Sequence, residues 1–225
     1  MKKEFYDRPL YTIPNYIMGF FLISLYLAIA NIPIILFLLF TAISPDNFNL
    51  LFLFLCLIPL GPSLGSLYSS VGRIIREKDI YFHSHFWSFY KNNFVSYLKL
   101  WLIELILLAV LSIDFQYFYF NKYQMGIHIV FATLIIICLL IGLYSFPIYS
   151  RFEIKFKDLL ILSVYYTLKK FHITILKAAV IALSYYLLKY ISIIFIIFMP
   201  AIICLIFFYY DKKMLDELEN KFLSK

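Results

Sequence analysis

Long apolar runs dominate this 225-residue sequence and limit what it can fold into. An α-helix needs about 20 apolar residues to cross a hydrocarbon core about 30 Å thick, and several runs reach that length. Hydrophobic residues make up 64% of the chain and charged residues only 15%, which leaves too little polar surface to cover a water-soluble domain. The sequence therefore predicts an all-α, polytopic membrane protein.

Six runs are predicted to span the membrane and to form a single membrane domain over residues 1–225. They cover residues 16–43, 50–75, 98–120, 127–150, 174–188 and 190–209, with tails at 1–15 and 210–225. Residues 174–209 could instead form one broken helix. We favour two spans, because one helix of that length would leave Lys189 near the middle of the bilayer.

The positions of lysine and arginine orient these spans. Short cytoplasmic loops are rich in Lys and Arg, whereas external loops are poor in them. With six spans, both tails, the second and fourth connections and the span ends next to them carry all the basic residues except Lys122 and Lys189. We therefore expect both termini in the cytoplasm. The net charge of +7 then reflects topology and contact with anionic lipid, not nucleic acid.

Two of the predicted inner connections have amphipathic helical patterns. In the first, Phe82, Phe86 and Phe89 follow helical spacing beside Trp87, which predicts a helix lying at the cytoplasmic membrane surface. The second has a similar apolar face, with Tyr166 on the opposite, polar face. That apolar face is predicted to comprise Phe156, Leu159, Leu160, Ser163, Val164, Thr167, Leu168 and Phe171.

These connections and their flanking spans have the pattern of a weak parallel internal repeat, over residues 50–120 and 127–188. Each unit has a span ending near an arginine, an amphipathic helix, a cluster of Lys and Phe, and another span. Arg73 and Arg151 occupy equivalent places. Parallel repeats occur in transporters, which favours a route between the two units, but also in proteins that transport nothing.

Proline and glycine interrupt the second predicted span at Pro59, Gly61, Pro62 and Gly65. They predict a break or kink, which frees backbone carbonyls that neighbours or water must satisfy. Broken helices often line substrate sites. Gly61 and Gly65 also have the small-xxx-small spacing of a helix-packing face, the interpretation that we favour. The Asn31-Ile32-Pro33 segment predicts a similar kink in the first span.

Two charged residues fall inside predicted spans and are candidates for a functional site. Glu104 lies about five residues inside the third span, and a buried charge without compensation is costly. Lys177 lies at a comparable depth in the fifth span. Over a functional site we favour a structural role, which is either an ion pair between them or a Glu104 carboxylate that reaches the membrane interface.

Arg73 and Arg151 end the second and fourth spans at the predicted inner face. A guanidinium can bind a phosphate or a partner's carboxylate through two hydrogen bonds, but basic residues at helix ends also anchor topology. For Arg73 we favour anchoring. For Arg151, which Glu153 follows closely, both roles stay open. Trp87 is the candidate contact with a partner protein.

Short motifs link the chain to a known family. Residues 58–68, with the sequence IPLGPSLGSLY, together with residues 86–94 and Trp101-Leu102-Ile103, resemble the YesL-like family of uncharacterised bacterial integral membrane proteins. Phe146-Pro147 and Arg151-Phe152-Glu153 resemble the second half of that family. Its members are often encoded beside carbohydrate ABC transporters in Gram-positive bacteria. The resemblance implies a bacterial plasma-membrane protein with an accessory role.

Motifs of catalysis are absent from the sequence. It has no phosphate-binding glycine loop, no metalloprotease helix and no nucleophile elbow, so we expect no enzyme activity, no cofactor and no metal site. Two functions stay open. One is a non-catalytic accessory protein that binds a carbohydrate ABC transporter or another membrane protein. The other is a small permease with its path between the two repeat units.

Overall fold

The computed structural model describes residues 9–77, 82–120, 126–152, 154–187 and 193–223. Within these ranges the chain forms ten α-helices and no strand, so the all-α prediction is confirmed. The helices are α1 Pro9–Ala30, α2 Ile32–Ile43, α3 Leu50–Cys56, α4 Leu60–Glu77, α5 Phe82–Asn92, α6 Phe94–Phe120, α7 Ile127–Arg151, α8 Phe156–Lys169, α9 Phe171–Leu187 and α10 Ile193–Leu223.

Three to five segments of the described chain are long and apolar enough to cross a membrane. Three do so as single units: Leu50–Arg76, Phe94–Phe120 and Ile127–Arg151. Two further candidates are bent pairs: Pro14–Ala30 with Ile32–Ile43, at 70°, and Phe156–Lys169 with Phe171–Leu187, at 91°. The predicted sixth run overlaps α10, and the count of six spans stays a prediction.

The first predicted span bends at Asn31, as its Asn-Ile-Pro segment predicts. The Asn31 side-chain amide donates hydrogen bonds to the Leu27 carbonyl at 2.8 Å and to the Ser63 hydroxyl of α4 at 2.6 Å. Pro33 lies in the first turn of α2, where a missing N–H is tolerated. The bend is therefore tied to α4 by a buried polar contact.

The second predicted span breaks between Cys56 and Leu60, at the predicted proline. The indole N–H of Trp101 in α6 donates to the carbonyl of Leu57 at 2.8 Å. A carbonyl freed by a helix break must find a partner inside a membrane protein. Trp101 supplies that partner. The predicted break is therefore confirmed, and so is the expectation that a neighbouring helix hydrogen-bonds to the freed carbonyl.

The glycines of α4 form a packing face against α6. A Cβ atom on Gly61 would lie 2.1 Å from the Cβ of Trp101, and one on Gly65 would lie 2.3 Å from the Tyr97 ring. One turn further on, the hydroxyl groups of Ser69 and Tyr97 are 2.7 Å apart. Small residues therefore let the two helices approach closely, which supports the packing interpretation.

The helix α7 occupies the centre of the fold, where it contacts α4, α6, α8, α9 and α10. Its Tyr144 and Ile148 side chains are fully buried, together with Val71 of α4 and Leu159 of α8. The helices α1 and α10 also pack together. Ala201, next to Pro200 in α10, donates its backbone N–H to the Ser24 hydroxyl of α1 at 3.2 Å.

Both predicted amphipathic helices are present, as α5 and α8. Of the predicted apolar face of α8, Leu159, Ser163 and Thr167 are buried within the protein, and so is Tyr166, which was assigned to the polar face. Leu160, Val164, Leu168 and Phe171 of the same apolar face are exposed. Lipid tails are as apolar as leucine, so an apolar stripe in a membrane protein need not face the protein.

The chain reverses direction between α9 and α10. The side chains of Lys177 and Asp211 meet at 2.8 Å although 34 residues separate them. In one straight helix those residues would be about 51 Å apart. Two helices therefore form, as favoured above, and their connection with Lys189 lies outside the described residues. The repeat stays a prediction.

The predicted C-terminal tail is largely helical. Instead of ending at residue 209, the last helix continues to Leu223. Met214, Leu215 and Leu218 are buried against the rest of the protein. This part of the chain is therefore a packed element of the core.

Replacement of Gly61 by alanine should lower the free energy of unfolding by about 1–3 kcal/mol. The new methyl would collide with the Cβ of Trp101, which is fixed to the α6 backbone, so the helices must separate. Gly72→Ala is the matched control in α4, because its Cβ would meet only the ring edge of Phe208, at 3.0 Å. Thermal unfolding in detergent micelles measures both variants. Equal melting temperatures for the two would contradict this account of the packing.

Candidate functional site

Glu104 lies on α6 and is half-buried against α7. It follows Phe94, the first residue of α6, by ten residues, or about 15 Å along the helix. Its carboxylate lies against Gly142 of α7, where a Cβ atom would be 2.0 Å from Glu104 Oε1. The missing side chain of Gly142 thus creates the space that the carboxylate occupies.

Glu104 has no hydrogen bond or ion pair with any other described residue. The predicted pair with Lys177 is wrong, because the ammonium of Lys177 is bound to Asp211 instead. The residues of α7 beside Glu104 include Gly142 and Cys138, and neither carries a charge. Glu104 is therefore an unpaired carboxylate on a helix that is apolar enough to cross a membrane.

Lys177 is fully satisfied by its surroundings. Its ammonium donates to Asp211 Oδ2 at 2.8 Å and to the Leu143 carbonyl at 3.1 Å. It also lies 3.8 Å from the centre of the Tyr144 ring, a favourable cation–π position. The exposed fraction of the side chain is 0% for Lys177 and 1% for Asp211. The pair joins α7, α9 and α10, which is the arrangement of a structural brace.

Asp211 is the residue of this centre that the sequence interpretation missed. It follows the last apolar run and precedes Lys212 and Lys213, so it was assigned to the tail. Its spacing to Met214, Leu215 and Leu218 is that of one helix face, which could have indicated that α10 stays buried. Asp211 Oδ1 has no hydrogen-bond partner in the described part of the chain.

Three consecutive residues of α7 lie between the two centres. Gly142 faces Glu104, the carbonyl of Leu143 accepts from Lys177, and Tyr144 provides the ring beside the ammonium. The Tyr144 hydroxyl is 2.9 Å from the Thr174 hydroxyl of α9. This turn of α7 thus separates the unpaired carboxylate from the satisfied ion pair.

The predicted arginine sites differ in their surroundings. Arg151 forms ion pairs with Asp216, at 3.0 Å, and with Glu219, both on α10. Its guanidinium therefore binds carboxylates of the same chain, which fixes α10 to the end of α7. Arg73 is half-buried in α4, and Glu153 lies outside the described residues.

Trp87 belongs to an internal aromatic cluster. Its ring lies 5.8 Å from that of Tyr26 in α1, 5.5 Å from Phe86 and 5.6 Å from Tyr90. Burial raises the pKa of the Tyr90 phenol above its ordinary value. The cluster holds α5 against α1, so these rings face inward.

Two cavities meet at Glu104. One, the central cavity, has a volume of about 390 Å³ and is lined by the buried residues Leu67, Trp101 and Phe146 and by the exposed residues Leu139 and Ile181, among others. The other, the outer groove, has a volume of about 570 Å³ and lies between α6, α7 and α8. Among the described residues that line either space, Glu104 is the one with a formal charge.

The described residues contain no group of three or more His, Cys, Asp or Glu side chains that could hold a metal ion. The chemistry available at Glu104 is therefore that of one carboxylate in apolar surroundings. Such a group can accept hydrogen bonds, bind a cation or take up a proton.

Replacement of Lys177 by methionine should lower the free energy of unfolding by about 3–5 kcal/mol, because Asp211 would remain buried without its partner. Lys177→Met with Asp211→Leu should recover part of this loss. Breaking the pair of Lys170 and Glu217, in which Glu217 is 49% exposed, should cost less than about 1 kcal/mol.

Denaturation in mixed micelles measures these variants together with the single variant Asp211→Leu. If the two substitutions in the Lys177–Asp211 pair are additive, the pair is not a coupled brace.

Comparison with known proteins shows that part of the chain is similar to one family. Residues 27–115 match the model of the family described as "Protein of unknown function, DUF624", the domain of YesL-like proteins. The match extends from α1 into α6 and includes Glu104, whereas Gly142, Lys177 and Asp211 lie beyond it. No curated protein and no solved structure matches the chain. The helices indicate a membrane protein, and residues 27–115 of it are similar to a family of unknown function.

Proposed function

We propose that this protein is a small permease of the bacterial plasma membrane, in which Glu104 binds the transported solute or a coupled proton. The observation that carries the proposal is the unpaired carboxylate of Glu104 between two cavities. An ionisable side chain inside a membrane is costly and usually serves function unless it is paired.

The alternative explanation for a buried charge, a structural ion pair, applies to Lys177 and Asp211 instead. The Lys177 ammonium is neutralised by Asp211 through Oδ2 and also donates to the Leu143 carbonyl, whereas Asp211 Oδ1 has no partner among the described residues. The ion pair explains why Lys177 and Asp211 are buried, and no functional role is needed for either. Glu104 receives no such explanation from the described residues.

The central cavity also has the position expected of a permeation path. Glu104 comes from the first predicted repeat unit, residues 50–120, and Gly142 comes from the second, residues 127–188. Many transporters bind their substrates between repeat units, close to broken helices. Leu60 and Leu64, which follow the break in the second span, line the same cavity. Both termini are expected in the cytoplasm, from the distribution of basic residues.

Glu104→Gln should abolish transport with little loss of stability, because the amide keeps the shape but cannot carry charge. The full chain in proteoliposomes is assayed with labelled sugars, amino acids, amines and inorganic cations, with and without a pH gradient. Asp114→Asn is the matched control, since it removes an acid ten residues further along α6. It should transport as the wild type does.

Two outcomes would contradict the proposal. Uptake by Glu104→Gln at the wild-type rate would remove this residue from the mechanism. Failure of the wild type to move any of these solutes would overturn the permease itself.

A second candidate is a non-catalytic accessory protein that docks onto a carbohydrate ABC transporter or another membrane protein. It is favoured by the exposed polar side of α5, which presents Ser88, Lys91 and Asn92. Because Trp87 and Phe86 pack inward, the docking surface would be this polar side and not the aromatic one.

A photocrosslinker at Lys91 should capture the partner in native membranes, whereas one at the buried Phe86 should not. Mass spectrometry of the adducts identifies the protein bound. Adducts with lipid alone at Lys91, under native expression, would count against the accessory role.

A further inference from the structure

The Glu104 carboxylate lies at the wall of the central cavity. Its Oε1 atom lies against Gly142 of α7, and both residues line that cavity. Trp101 precedes Glu104 by three residues on α6 and lines the same space. Side chains three positions apart are neighbours on one face of a helix. The carboxylate and the indole ring are therefore next to each other at this wall.

Aromatic rings from four helices line the central cavity. Trp101 of α6 is joined there by Tyr68 of α4, Phe146 of α7 and Phe207 of α10. The centres of the Trp101 and Phe146 rings are 6.1 Å apart. Because the indole N–H already donates to the Leu57 carbonyl, Trp101 offers its ring and not a hydrogen bond to a ligand. The faces of such rings attract a positive charge.

Tyr68 brings a second polar group to this wall. The residue is 7% exposed, and its hydroxyl has no hydrogen bond with any other described residue. The phenol is close enough to the thiol of Cys204, which also lines the cavity, for an electrostatic interaction. A buried hydroxyl without a partner costs free energy. A ligand that donates a hydrogen bond to this hydroxyl would remove that cost.

Glu104 determines the sign of the charge in the cavity. The Lys177 ammonium lies behind the wall, 5.5 Å from the centre of the Phe207 ring. Asp211 neutralises that ammonium at 2.8 Å, so the field of this pair inside the cavity is weak beside that of an unpaired carboxylate. The cavity therefore attracts a cation and repels an anion.

The walls of the cavity favour an organic cation over a metal ion. Ca²⁺ takes about six to eight oxygen ligands, whereas the side chains that line the cavity offer the carboxylate of Glu104 and the hydroxyl of Tyr68. An organic ammonium needs fewer polar partners, because its carbon atoms pack against apolar walls. The volume of about 390 Å³ is near the lower end of the range of about 300–1,000 Å³ found for ligand pockets. The ligand is therefore compact.

We infer that the central cavity binds compact organic ammonium ions, with the positive group between the Glu104 carboxylate and the rings of Trp101 and Tyr68. The carboxylate forms a charge-assisted hydrogen bond with the ammonium, and the rings attract the same charge. The hydrocarbon part of the ligand packs against the leucine side chains of the wall. The inference rests on the proposed permease, whose carboxylate it shares, and names the class of its solute.

The experiment measures equilibrium binding of radiolabelled 2-phenylethylamine, a cation at neutral pH, to the full chain in phosphatidylcholine nanodiscs. Empty nanodiscs give the background from the lipid. The matched competitors are 2-phenylethanol and 3-phenylpropanoic acid, which lack the positive charge. The amine should bind about tenfold more tightly than the alcohol, the ratio expected for one charged hydrogen bond. The acid should bind more weakly than the alcohol, and calcium chloride at the same concentration should not compete.

Three variants test the polar groups. Glu104→Gln should reduce the affinity for the amine to that for the alcohol, whereas Asp114→Asn, on the same helix, should leave it unchanged. Tyr68→Phe keeps the ring and removes the hydroxyl, so it should weaken amine binding about fivefold, as expected for one neutral hydrogen bond.

Two further variants distinguish the central cavity from the outer groove. Ile181→Trp fills the central cavity from α9 and should weaken binding of the amine and the alcohol alike. Val164→Trp fills the outer groove from α8 and should change neither. Helix content and elution as one species establish that each variant is folded. Glu104→Gln and Asp114→Asn decide alone if either tryptophan variant does not fold.

Equal affinity for amine and alcohol in the wild type would overturn the inference, as would amine binding that survives Glu104→Gln or is displaced by calcium. An unchanged affinity in Tyr68→Phe would remove that hydroxyl from the site. Because the readout is binding, its failure is distinct from that of the permease. Selective binding of the amine without any uptake would contradict transport and leave the ammonium site intact. Uptake of another solute without amine binding would do the reverse.

Discussion

The fold depends on one constraint, that polar groups inside a membrane must be satisfied by the protein itself. The described interruptions in apolar helices each meet it with a side chain from another helix. Asn31 reaches Ser63 at the first bend, Trp101 reaches the Leu57 carbonyl at the second break, and Ser24 accepts from the backbone beside Pro200. These bonds join helices as well as capping them. The irregular places are therefore where the bundle is tied together.

The parts that could be predicted from sequence are those that local chemistry decides. Proline has no N–H and glycine has no side chain, so the break before Leu60 and the close packing at Gly61 follow from residue type. The ends of α7 follow equally, because a long apolar run stops at polar residues on both sides. The position of Glu104 inside a span was also visible. Each of these features depends on residues that are near one another in the chain.

The parts that could not be predicted depend on which surfaces meet. In water an apolar stripe marks the buried face of a helix, but in lipid both faces can be apolar. The sequence therefore does not predict which side of α8 faces the protein, nor that Tyr166 is buried. The predicted partner of Lys177, Glu104, was wrong for a similar reason. Two charges at equal depth favour pairing, yet the reversal between α9 and α10 brings Asp211 closer. Glu104 is left unpaired by that choice.

The Lys177–Asp211 brace also affects how the chain enters the membrane. During synthesis Lys177 emerges 34 residues before the carboxylate that neutralises it, and a lysine at the centre of an inserting helix costs about 2.5–3.5 kcal/mol. The helix that carries it has only 17 residues, which is at the lower limit for crossing alone. α9 is thus a poor insertion unit by itself. Insertion of α9 and α10 together as a helical hairpin would bring the ammonium and its carboxylate into the bilayer as a neutral pair.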